Sequence, residues 1–337
     1  MKSNYPKAFV ALFIIVMLLP LRTFTADQEQ FAESFWGRPR FIAGLSDFRL
    51  LIGDRVFTNL IVSRDYWLVY TGELSTDDYQ RVIPFREDQL SEFQHNLDAF
   101  NDKLRAEGVA LLVVIVPNKN TIYPEYMPDE IPVMGDVSRF DQIVQYMAAH
   151  GATRILDLRS ALLAARQTRQ VYYAMDSHWN EYGAFIGYQE IITALKKDFP
   201  ALQARPLSDY ASASLGKVRF DLAGMSGGMI LTKEKFHLVP LFESQTTARS
   251  IDIGESRKLT FSANPDGGLP RAVVYHDSFF FDVIPLISEN FSHAIFIPIA
   301  GGREVVTRAW LAEIQPDVVI IEITERYISE LVNFINH

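Results

Sequence analysis

Leu90, Phe93, Leu97, Phe100 and Leu104 recur at helical spacing, so the pattern predicts an amphipathic helix over about residues 88–108. Residues 109–116 then run without a polar side chain, as suits a strand buried on both faces. A helix over 137–150 and a strand over 154–158 follow. Ala184, Ile186, Ile191, Ile192 and Leu195 place another helix over about 181–198, with Asn180 as its N-cap. Three more apolar runs, at 272–275, 294–299 and 318–323, are spaced by helical patterns at 279–291 and 304–314. Apolar strands joined by helical crossovers predict an α/β fold, a mostly parallel sheet with helices on both faces. Residues 200–269 break the pattern. They are rich in Ser, Gly and Lys and carry Met225-Ser226-Gly227-Gly228, which predicts an inserted lid or subdomain beside the cleft.

Two polar segments interrupt this frame where chemistry is expected. The first is Asp176-Ser177-His178-Trp179, just before the helix that Asn180 caps. The second is His276-Asp277-Ser278-Phe279, at the end of an apolar run. Together they hold the three groups of a Ser-His-Asp relay. Ser278 would attack an acyl carbon, His178 would take its proton, and Asp176 would fix the imidazole tautomer. Ser278 would stand at the C-terminal mouth of a strand, where α/β sheets place ligands.

Plainer roles compete with this one. Asp277-Ser278 before a helix also reads as an N-cap. Of seven histidines, only His178 has an aspartate two residues before it and a tryptophan directly after it. No cysteine, no His-Glu-x-x-His and no close histidine pair is present, so no metal site is expected. Asn118 and Lys119, at the end of the 109–116 strand, would donate to an oxyanion or a sugar, or would sit in a solvated loop. Trp179 would stack on a sugar or support the loop from behind. Tyr123 and Trp67 fit packing better. Glu325 and Arg326 read as helix-start and surface charges, or as an ion pair.

The 337 residues can bury a large core, and a formal net charge of −9 argues against nucleic-acid binding. Lys2 and Lys7 precede an apolar stretch over 8–21 that Arg22 closes. As a helix it covers only about 21 Å of a ~30 Å hydrocarbon core. Residues 1–26 are therefore expected to be an export signal or an uncleaved membrane anchor, with 27–337 as one exported domain.

These residues together resemble the alginate O-acetyltransferase group, the AlgJ- and AlgX-like proteins with SGNH-hydrolase-like domains. The group's Asp-x-His-Trp motif falls on Asp176, His178 and Trp179, with its following glycine at Gly183. Its Pro-Asn-Lys-x-Thr-x-Tyr motif falls on Pro117, Asn118, Lys119, Thr121 and Tyr123, and its nucleophile motif on Asp277, Ser278 and Phe279. Pro316 to Val319 and Glu325-Arg326 match further elements. The Asp-His half precedes the Ser half, the permuted order of this group. Two positions depart: His276 replaces the glycine before the nucleophile's Asp-Ser, which would alter the serine turn or narrow the cleft, and Tyr66-Trp67-Leu68-Val69 replaces Gly-Trp-Leu-Phe.

The resemblance implies a periplasmic enzyme that O-acetylates an exopolysaccharide through an acyl-serine, needing no cofactor. Ser278, His178 and Asp176 would be catalytic, with Asn118, Lys119, Tyr123, Trp179 and Asp277 facing substrate. It also implies a multi-pass membrane acyltransferase as acetyl donor and attachment to the inner membrane through the N-terminus. An acetylesterase of the same fold and a non-catalytic glycan-binding subunit remain alternatives.

Overall fold

The computed structural model describes residues 38–228, 231–254, 257–299 and 314–335. The expected signal or anchor over 1–26 lies outside the described residues, as does most of the helix expected over 304–314. No described helix is long and apolar enough to cross a membrane.

The described residues form two compact units. In the smaller, a helix spans Arg38–Leu51 and segment Ser226–Leu231 belongs with it. This helix buries Ala43, Ser46 and Leu50 on one side, while Phe41, Leu45 and Phe48 are about half exposed on the other.

The larger unit is built on a seven-stranded sheet. Its strands are β4 (Ala110–Val116), β5 (Ile155–Asp157), β8 (Thr247–Gly254), β9 (Arg257–Ala263), β10 (Arg271–His276), β11 (His293–Pro298) and β12 (Val318–Thr324). They lie in the order β5-β4-β12-β10-β11-β9-β8. The first five are parallel, and β9 and β8 add to one edge antiparallel. A small antiparallel sheet of β1 (Val56–Phe57), β2 (Leu60–Val62) and β3 (Leu68–Tyr70) precedes it. A ribbon of β6 (Tyr210–Val218) and β7 (Lys233–Pro240) stands apart.

Each central strand is mostly apolar because alternate side chains serve two cores. Leu112, Val114, Val116, Val274, Phe296 and Ile320 join one core with the helix Glu181–Leu195. Leu111, Val113, Ile115, Tyr275, Ile297 and Ile321 join the other with the helices Glu87–Ala106 and Arg139–His150.

Two expectations need correcting. Residues 279–291 do not form one helix; the chain is broken into Ser278–Asp282, Ile284–Ile287 and Ser288–Asn290. Pro285 has no N–H to give to a preceding carbonyl, so a helix cannot run through it unbroken. The expected insertion is also not all lid. Its second half supplies β8 and β9 to the main sheet, while the β6–β7 ribbon and the short helix Asp221–Met225 remain outside it.

Because β4, β12 and β10 are parallel neighbours, their C-terminal ends share one rim. Asn118, Glu325 and Ser278 all follow directly from those ends.

Candidate active site

Ser278 follows β10 and is exposed, at the start of a single 3-10 turn, Ser278–Asp282. Its placement is fixed by the residue before it. Asp277 is buried, and its Oδ1 accepts the Phe279 N–H at 2.8 Å, which caps the turn. Asp277 Oδ2 accepts from both the amide (2.8 Å) and the hydroxyl (2.5 Å) of Thr324 at the end of β12. The Asp277 amide in turn donates to Glu322 Oε2 at 3.0 Å. Asp277 is thus a brace for the turn that carries Ser278, with both carboxylate oxygens engaged by the protein rather than facing substrate.

Glu322 lies fully buried in β12. Burial raises its carboxyl well above the ordinary range, and the neighbouring Asp277 charge adds to the shift.

His178 reaches Ser278 from the opposite loop. Its Nε2 lies 2.8 Å from Ser278 Oγ, and its Nδ1 lies 2.6 Å from Asp176 Oδ1. Asp176 Oδ1 also accepts the His178 backbone N–H at 3.0 Å, so the loop closes on itself. The sequence-expected relay of Ser278, His178 and Asp176 is therefore brought into one hydrogen-bonded line. Burial alone would lower the His178 pKa, but bonds and charge from Asp176 and Asp221 outweigh it and hold the ring at about 9.

Asp221 was not visible as a site residue from the sequence. It opens the short helix Asp221–Met225, and its Oδ2 lies 3.5 Å from His178 Nδ1. An aspartate opening a helix reads as a cap, and no spacing links it to Asp176. Asp176, His178 and Asp221 place three possible metal-ligand atoms within 4.8 Å of one another. All three are engaged by one another or by Ser177.

The structure places Lys119 differently from the expectation. It is buried, and its Nζ donates to the carbonyls of Tyr173 (3.3 Å), Ala174 (3.2 Å) and Asp176 (2.6 Å). Its three donors hold the loop that carries Asp176 and His178 and leave none for a sugar. Burial lowers its pKa to about 7, against the pull of Asp221 and Asp176.

Trp179 does not offer a sugar face either. It is 1 % exposed, its Nε1 donates to the Phe279 carbonyl at 2.8 Å, and its ring lies over Gly187. A Cβ on Gly187 would come within 2.7 Å of the indole, so only glycine admits this contact. Tyr123 is buried as well, accepting the Val171 amide at 2.9 Å. Trp67 stacks on Tyr126 at 4.1 Å, as packing predicts.

Asn118 is the expected substrate-facing residue whose position keeps a donor available. Its backbone N–H donates to Glu325 at 2.7 Å, and its Oδ1 accepts from Arg326 at 3.4 Å. Its Nδ2 has no hydrogen-bond partner. It borders a small cavity of about 20 Å³ shared with Asn120, Tyr70, Ser177 and Arg326. Glu325 and Arg326 are thus not surface charges. Both are buried and clamp Asn118 from two sides; burial raises Glu325 to about 7, against the bonds from Thr121 and Asn118.

His276 does not narrow the cleft. It is fully buried, its Nδ1 donates to the Asp277 carbonyl at 2.8 Å, and its ring lies among Phe280, Phe281 and Phe296. Burial keeps it neutral by lowering its pKa to about 4. It is not among the positive-φ residues, so its backbone does not require glycine.

Comparison with known proteins adds relatives to this geometry. The family model described as an SGNH hydrolase-like domain, acetyltransferase AlgX, matches residues 60–261. That span holds Asp176, His178 and Asp221; Ser278 lies beyond it. A probable alginate O-acetylase AlgJ from Pseudomonas syringae pv. tomato is 28 % identical over 160 residues, 48 % of this chain and 38 % of that protein. The chain thus aligns with well under half the length of this relative. The structure of Bacillus cereus PatB1 with a sulfonyl adduct superposes with a TM-score of 0.60 at 13 % identity, covering 82 % of this chain and 97 % of that one. The O-acetyltransferase domain of Pseudomonas putida AlgJ gives 0.53 at 18 % identity, covering 82 % and 93 %. At such identities the superpositions establish a shared fold.

Proposed function

The chain belongs to the family of SGNH-hydrolase-like AlgX acetyltransferase domains, and from that premise we propose that it transfers acetyl groups to hydroxyls of an exported, alginate-like polysaccharide. The observation that carries this reading is the exposed Ser278 Oγ, 2.8 Å from the Nε2 of an imidazole whose other nitrogen is bound to Asp176.

In the proposed sequence, Ser278 Oγ attacks the acetyl carbonyl carbon as its proton passes to His178 Nε2. The donor's leaving oxygen departs with that proton, leaving an acetyl-serine. A sugar hydroxyl then attacks the same carbon, gives its proton to Nε2, and Ser278 regains it as the acetylated sugar leaves. Asp176 holds the Nδ1–H throughout. The Ser278 amide and Asn118 Nδ2 are the donors we assign to the oxyanion.

An acetyl donor outside the cytoplasm requires a carrier through the membrane, and a multi-pass membrane acyltransferase fits that need. The alginate O-acetylase relatives and the apolar stretch over 8–21 support a periplasmic setting with attachment to the inner membrane.

Deleting the gene is expected to lower the acetyl content of the secreted polysaccharide at normal polymer yield. Wild type should restore it and Ser278→Ala should not. Raised acetylation on deletion would replace transfer with deacetylation, and loss of polymer irrespective of Ser278 would point to a scaffold.

The bonding of His178 also sets a pH dependence. General-base action needs the neutral ring, whose pKa is raised to about 9. Cleavage of a soluble aryl acetate should therefore rise about tenfold per pH unit through neutrality and level off near pH 9. A plateau reached already at pH 7 would refute this.

A further inference from the structure

The inserted segment after β6 is stitched onto the loop that carries His178. Phe220 packs on Tyr173 at 4.7 Å between ring centres, and the Ala223 amide donates to the Met175 carbonyl at 3.3 Å. The Ser177 amide donates to Asp221 Oδ1 at 2.8 Å, and the Ser177 hydroxyl donates to Asp221 Oδ2. Each contact joins a residue of 220–223 to one of 173–177, so the two segments form one small body.

The consequence falls on the imidazole. His178 Nδ1 faces three acceptors: Asp176 Oδ1 at 2.6 Å, Ser177 Oγ at 3.3 Å and Asp221 Oδ2 at 3.5 Å. The serine proton is spent on Asp221, which leaves a lone pair turned toward Nδ1. A ring held by one carboxylate can pivot about that bond; a second carboxylate, fixed through Ser177, removes the freedom.

We propose that Asp221 is a positioning residue, which acts through Ser177 and beside Asp176 to fix the His178 ring toward Ser278 and so makes the inserted segment part of the catalytic machinery. The proposal rests on the acyl-serine reading only for its effect on rate.

The charges around His178 agree with it. Asp176 comes from its own loop and Asp221 from the inserted helix. Lys119, following β4, touches the Asp176 carbonyl, and Asp282, following β10, lies close enough to feel the ring's charge. Asp221 itself is held well below the carboxylate range; burial opposes this, and bonds from His178 and Ser177 overcome it. Its charge is therefore present throughout the range in which the ring titrates.

The test is a ¹⁵N-imidazole NMR titration of His178 in the full chain in detergent, with the signal assigned by its loss in His178→Gln. Asp221→Asn preserves shape and removes the charge. It should weaken proton binding at His178 by about tenfold or more, while Asp221→Glu retains most of it. On an aryl acetate, Asp221→Asn should lower the plateau kcat by about tenfold to a hundredfold with KM little changed, and move the rising limb of the pH profile toward acid by about one unit or more, in step with the weaker proton binding. An unchanged His178 titration in a folded Asp221→Asn protein would overturn the proposal. A shifted titration in a protein whose Ser278→Ala variant keeps full esterase activity would uphold Asp221 and reject the acyl-serine reading instead.

Discussion

Ser278→Ala is expected to lower kcat for acetyl transfer by on the order of 10⁶, and His178→Ala by a similar factor, because nucleophile and base act as one unit. Asp176→Asn should cost on the order of 10⁴, since an amide at that position favours the wrong imidazole tautomer. The three losses should not add. A Ser278→Ala, His178→Ala double variant should be no slower than Ser278→Ala alone. The measurement is single-turnover trapping of the acetyl-enzyme by intact-protein mass spectrometry. Trapped acetyl on the Ser278→Ala protein would sink the assignment of the nucleophile. Fold is checkable in the same samples, since the exposed Ser278 side chain supports no core contact that alanine would remove.

Trp179→Ala is expected to destabilise the protein by about 3–5 kcal/mol, the range for removing a buried large aromatic side chain. Three losses coincide there. The indole leaves a cavity against Gly187, its edge contact with Phe279 goes, and the Phe279 carbonyl loses its donor. Trp179→Phe should keep most of the volume and cost about 1–3 kcal/mol, chiefly from the unpaired carbonyl. Urea denaturation measures both. Because the lost bond runs from the His178 loop to the residue after Ser278, Trp179→Phe should also reduce kcat. A stable, fully active Trp179→Ala protein would mean that the indole does not tie the two halves together.

Much of the sheet was legible because burial on both faces leaves an unmistakable record. The runs at β4, β10, β11 and β12 hold scarcely a polar residue, and the helix that carries Ala184 and Ile191 declares its period. The three relay residues were legible for a different reason: His178 alone of seven histidines stands between an aspartate two residues before it and a tryptophan after it, and Asp277-Ser278 closes an apolar run. What the sequence hides is depth. Trp179 and Lys119 look like ligand-facing groups in a polar segment, yet both are turned inward. Their partners are backbone carbonyls, which have no letter in a sequence. Asp221 hides because it comes from another segment, 45 residues beyond Asp176 by roughly any linear count. Glu322 interrupts an otherwise apolar strand, and a carboxyl at such a place seldom stands there without a buried partner.

The strand order also has a kinetic meaning. β12 lies between β4 and β10, and its partners in β4 precede it by about two hundred residues, a separation that makes parallel pairing slow. β10 is flanked by β11 and β12, both of which follow it in the chain. A chain emerging from its N-terminal side has Asp176 and His178 in hand long before it can build the rim on which Ser278 stands. The turn that carries Ser278 waits for Thr324 to close on Asp277. Reactivity should therefore arrive late and all at once, as the final event of folding, and a stalled or clipped chain should present a histidine loop with no serine to activate.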